Sequence, residues 1–87
     1  MASPEYARGW GLGRAAAVRV KESAGCPCTT AAEFNSPPCM EALAKAVAVV
    51  MRDGQKHGYL TTPESLDGFR DGFFRQTWEL CVKGSSA

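Results

Sequence analysis

Three of the chain's four cysteines, Cys26, Cys28 and Cys39, fall within the stretch "CPCTTAAEFNSPPC", and the fourth, Cys81, lies far downstream. Four such sulfurs are open to three kinds of chemistry. As thiolates they make a complete tetrahedral ligand set for Zn²⁺, so Cys26, Cys28, Cys39 and Cys81 are the candidate metal ligands and structural zinc is the candidate cofactor. Taken in pairs they form disulfides, Cys39 with Cys81 being one such pairing. Left alone they are small thiols, buried or partly exposed. The spacing weighs against zinc and against a redox dithiol, because Cys26-Pro27-Cys28 puts one residue between sulfurs where zinc knuckles and thioredoxin-like motifs have two or more. An intracellular protein keeps its thiols reduced, which favours free cysteines and no cofactor.

His57 is the single histidine and the natural partner to test for a nucleophilic cysteine. A helix linking Cys39 to His57 would hold them roughly 27 Å apart at 1.5 Å per residue, so no Cys–His pair forms. Asp67 and Asp71 stand four apart without a third carboxylate or a histidine, the pattern of a solvated helix face. "GWGLG" follows no strand and lacks the lysine of a phosphate-binding loop. No nucleophile, base and orienting group converge, and the expectation is a protein that is not an enzyme.

The elements that must position these residues are punctuated three times in the same way. Ser3-Pro4, Ser36-Pro37-Pro38 and Thr62-Pro63 each open a segment, and Gly25, Gly58 and Gly84 close them. A hydroxyl caps the unpaired amides of a first turn, proline fits the first helical position, and glycine accepts a left-handed cap. Three helices are predicted, at about 4–24, 37–57 and 63–83. In the first, Tyr6, Trp10, Gly13, Ala17, Val20 and Ala24 align. In the second, Leu43, Val47, Val50 and Gly54 share a face, and in the third Leu66, Phe69, Phe73, Phe74, Leu80 and Cys81 form a broad apolar arc. Gly9, Gly11 and Gly13 weaken the start of the first helix, each costing roughly 1 kcal/mol against alanine. The alternation of Val18 and Val20 in "AAAVRVKE" leaves a short strand as the rival reading of that segment.

The short link "YLTT" makes the second and third helices an antiparallel hairpin. The expected fold is therefore all-α, a small three-helix bundle in a single domain spanning 1–87, with residues 25–36 as a cysteine-containing connecting loop. That topology brings all four sulfurs to one end. Gly9 and Gly13 are expected to face the core, packing against Phe69 or Phe73. Gly68 and Gly72 fall outside the apolar arc, next to Arg75, Trp78, Glu79 and Val82. Outward glycines beside a tryptophan suggest that another chain approaches there, so these six residues are the candidate partner-binding face, either for a protein partner or for a homodimer.

Ten Lys/Arg against nine Asp/Glu leave a net charge of +1, too little to hold nucleic acid against salt. The alternative that survives is a zinc-stabilised helical module contacting phosphate through Arg8, Arg14, Arg19 and Lys21. Glu5 and Arg8 precede any apolar run, which disfavours a secretion signal, and no segment approaches the ~20 apolar residues of a membrane span. The protein is expected to be cytoplasmic, with no membrane partner.

"YARGWGLGRAAAVRV" and, more loosely, "LDGFRDGFFRQTWE" resemble the helical phrase Arg-Gly-Trp/Phe-x-x-Gly-x-x-x-Ala of short accessory proteins of phages and bacterial mobile elements. The resemblance implies a compact phage accessory protein, an adaptor or inhibitor directed at a host complex such as a defence system. It carries no functional residue with it.

Overall fold

The computed structural model describes residues 3–83, and these are all-helical, with no strand among them. Four α-helices follow one another: α1 (Pro4–Ala24), α2 (Ala31–Phe34), α3 (Pro37–Lys56) and α4 (Pro63–Thr77), the last running on into a π-helical segment, Trp78–Lys83. The rival strand reading of "AAAVRVKE" fails, since α1 runs unbroken through it. Gly84 lies outside the described residues.

The starts are capped largely as the residue types dictate. Ser3 accepts from the Tyr6 amide at 3.1 Å. Thr62 accepts from the Ser65 amide at 3.2 Å, while the Ser65 hydroxyl accepts from the Thr62 amide at 3.1 Å, closing a reciprocal box. Ser36 departs from the expectation and makes no side-chain cap. Its hydroxyl donates backward to the Glu33 carbonyl at the end of α2, and Pro37 and Pro38 leave no amide in the first two helical positions for it to cap. Gly25 and Gly58 have φ of 78° and 81°, the left-handed region that their lack of a Cβ makes accessible.

The packing of α1 on α4 rests on four glycines. Where a Cβ would stand on Gly9 and Gly13, the carbonyl carbons of Ser65 and Phe69 lie 2.8 Å away, with their oxygens closer still. In return, Gly68 and Gly72 face the carbonyls of Tyr6 and Trp10, whose carbons lie 2.9 Å from the same position. Sequence number rises together on both sides of this seam, so α1 and α4 run parallel. Cα hydrogens aimed at carbonyl oxygens make the weak hydrogen bonds found at close helix contacts, here in both directions.

Helix α3 is placed by side chains instead. Leu43, Val47 and Leu60 pack with Ala16, Ala17, Phe69 and Phe73 in the buried core, and Phe73 is only 1% exposed. Residues early in α3 share a surface with Thr77 and Cys81, while Met51 and Arg52 share one with Arg70 and Phe74, so α3 runs opposite to α4.

Two disulfides, Cys26–Cys81 and Cys28–Cys39, join the linker after α1 to the C-terminal segment and to the start of α3. The four sulfurs do meet at one end, but Cys39 pairs with Cys28 and not with Cys81. The chain leaving α1 delivers Cys26 to the π-helical segment and, two residues on and before α2, Cys28 to the first turn of α3, so each pair joins the linker to a segment it lies against. A disulfide sulfur offers no thiolate to a metal, so the zinc arrangement of Cys26, Cys28, Cys39 and Cys81 and this paired state exclude each other.

Candidate functional site

The expected partner-binding face does not exist as one surface. Gly68 and Gly72 are buried against α1, not turned outward. The apolar arc of Phe69 and Phe73 is only one of two faces that α4 buries, because this helix lies between α3 and α1 and meets α1 through glycine. Trp78 is half-buried, its ring edge-on to Phe34 with centroids 5.1 Å apart, so it seats α2. Val82 is 5% exposed. The π turn, with its i→i+5 bonding, holds more residues than the α turn assumed in the reading of the sequence, and rotates Val82 inward beside Cys81. Arg75 and Glu79 remain near the surface, joined at 3.2 Å.

Above the glycine seam a row of polar contacts closes the same edge. The Tyr6 hydroxyl donates to Asp71 at 2.5 Å, and Arg14 donates to Gln76 at 2.7 Å and to Glu79 at 3.4 Å while lying 4.7 Å from the centre of the Trp10 ring. The hydrogen bond to Asp71 pushes the Tyr6 phenol above its ordinary value, with desolvation and the negative charges of Asp71 and Asp67 adding to it. Arg8 pairs with Glu5 at 3.2 Å. Two of the four cations considered for phosphate, Arg8 and Arg14, thus already hold carboxylates.

His57 caps α3, its Nδ1 3.0 Å from the Asp53 carbonyl oxygen. Asp67 pairs with Arg70 and Asp71 accepts from Tyr6. Among the described residues no group of three or more His, Cys, Asp or Glu side chains is arranged to hold a metal ion, and no helix is long and apolar enough to cross a membrane.

What the structure does assemble is an apolar cleft at the cysteine end, with a volume of about 200 Å³. Ala17, Val20 and Ala24 of α1 form one wall, and Ala42, Leu43 and Ala46 of α3 the other. Phe73 and Thr77 lie at the base with Cys81, and Gly25 and Pro27 close the end. The Thr77 hydroxyl donates to the Phe73 carbonyl at 2.8 Å, so the base asks nothing polar of a ligand. Among the described residues the one charged lining residue is Lys21, exposed at the mouth.

Small alanines create this space: facing helices keep their separation through Leu43 and Phe73, and the alanine positions do not fill it. A larger, more open hollow of about 380 Å³ between α3 and α4 mixes Val47, Met51 and Phe74 with Arg52, Gln55 and Arg70 on its walls. The reading of the sequence missed the cleft, because helical periodicity aligns Ala17 and Ala24 on one face without showing whether the space beside them is filled. It also missed α2, although Thr30-Ala31-Ala32-Glu33 has the capping spacing: Thr30 accepts from the Glu33 amide at 3.2 Å and its hydroxyl donates to the Glu33 carboxylate at 3.0 Å.

Compared with protein-family models, curated proteins and solved structures, the chain matches none.

Proposed function

We propose that this chain is a small non-enzymatic protein-binding module, an adaptor or inhibitor, built as a disulfide-clamped three-helix bundle that seats a bulky apolar side chain of its partner in the cleft between α1 and α3. The apolar cleft carries this reading. At about 200 Å³ it exceeds the roughly 150 Å³ that accommodates a benzene ring in a protein core. It falls short of the roughly 300 Å³ and more of pockets for drug-sized molecules. One Leu, Met, Phe or Trp side chain is the matching size, and such anchors supply much of the energy of protein interfaces.

Two disulfides support an oxidising compartment as the place of work rather than the cytoplasm, since reducing compartments keep thiols apart. The likeness of "YARGWGLGRAAAVRV" to phage accessory proteins agrees with a binding role, an inhibitor of a host complex being one form of it.

A peptide-display selection against the oxidised protein tests the reading. Enriched peptides should share one large apolar residue, and Ala46→Arg, which puts a long charged side chain into the cleft, should abolish their capture while leaving the circular dichroism spectrum unchanged. Enrichment that ignores Ala46→Arg would sink the proposal.

A further inference from the structure

We infer that the partner segment carries a carboxylate beside its apolar anchor and that Lys21 recognises it, an inference that rests on the cleft being the docking site. Arg8, Arg14, Lys45, Arg70 and Arg75 each hold a carboxylate within 3.7 Å. Lys21 is exposed and, like Arg19, Arg52, Lys56 and Lys83, joins no ion pair among those of the described residues; of these five it alone lines the cleft. Among the described residues no acidic side chain lines the cleft, and the only other polar side chain there, Thr77, is already bonded within its own helix. Among the described residues, the mouth of the cleft therefore presents one cation and no carboxylate.

An apolar base with one cation at its lip is complementary to an acidic amphipathic segment. The anchor enters, water leaves, and an Asp or Glu close by on the partner meets the ammonium where exclusion of solvent strengthens their attraction. On a helical partner, the positions three and four residues from the anchor bring a carboxylate alongside it. A basic segment would place like charges together at the same spot, so Lys21 also rejects partners.

Lys21 has a second reason to be where it is. It lies in the last turn of α1, where a cation complements the carbonyl end of the helix. That role requires no partner, and the experiment separates the two.

Peptides enriched by the display selection and lost with Ala46→Arg are synthesised, and their affinities are measured by calorimetry at low and high salt. Lys21→Gln should weaken binding about fivefold, Lys21→Arg should restore most of it, and Lys21→Glu should shift the preference to peptides with Lys or Arg beside the anchor. The affinity of the unmodified protein should fall as salt rises. Cleft-dependent peptides that lack a carboxylate, or whose affinity ignores Lys21→Gln while the melting temperature drops, overturn the inference alone and leave Lys21 a helix-end residue. A selection with no cleft-dependent peptide overturns the docking site and the inference with it.

Discussion

The seam between α1 and α4 and the cysteine end of the molecule hold helices together by opposite means. Along the seam, Gly9, Gly13, Gly68 and Gly72 remove side chains so that backbone meets backbone, leaving no space at the line of contact. At the cysteine end, Cys26–Cys81 and Cys28–Cys39 tie the segments covalently, and alanines between them leave a cleft of about 200 Å³. Close packing makes the first region intolerant of added atoms. A covalent tie permits a hollow beside it, because the helices there need not fill the space between them to stay in place. In a chain of 87 residues, where one small core must supply most of the stability, the glycine seam is the closed side and the disulfide end the hollow one.

The sharpest way to break this contrast is to open the covalent side. Cys26→Ser with Cys81→Ser removes a crosslink spanning 55 residues and should cost about 4 kcal/mol on the loop-entropy model, read as the shift in a urea unfolding curve. Little or no loss would mean that packing, not the bond, holds the C-terminal segment. On the packed side, Gly13→Ala should cost about 3 kcal/mol by overpacking, since its methyl would overlap the Phe69 carbonyl. Gly11, two residues away in the same helix, meets nothing within 4 Å, so Gly11→Ala should raise stability by about 1 kcal/mol through helix propensity alone. Thermal melts of the two variants should thus move in opposite directions; a shared direction would show that the seam does not select glycine for space.

The smallest effect concerns the polar row over the seam. Tyr6 is neutral when it donates to Asp71, and its folded pKa is raised above 10.0. Its contribution is therefore complete below the unfolded value of 10.0 and is lost as pH rises through the higher folded one. An alkaline absorbance titration of the native protein should place the Tyr6 transition above that of Asp71→Asn. Coincident curves would remove the hydrogen bond as the cause.

Much of this architecture can be read from local chemistry. Hydroxyl-proline starts mark the first residues of α1, α3 and α4, and Gly25 and Gly58 follow the ends of α1 and α3, because caps and proline act on neighbouring amides. The meeting of four cysteines at one end follows from short links between long helices. Which cysteine pairs with which does not, since several pairings satisfy the same convergence.

The misplaced residues have two causes, both invisible to hydrophobic periodicity. Gly68 and Gly72 have no side chain with which to declare a buried face, so hydrophobic periodicity passes over them, and α4 in fact buries two faces. Val82 moved inward because the π turn changes the angular step after Thr77, and no residue type announces such a turn. The cleft belongs to the same class, for an alanine reads alike whether the space beside it is filled or empty.

The starts of α1, α3 and α4 and the gathering of cysteines depend on interactions within a few residues or on the length of a link, and the sequence alone determined them. Disulfide partners, the glycine seam, the inward Val82 and the hollow beside Lys21 depend on which surfaces face each other across the fold. Only the tertiary structure decided those, because empty space and close approach are relations between segments distant along the chain.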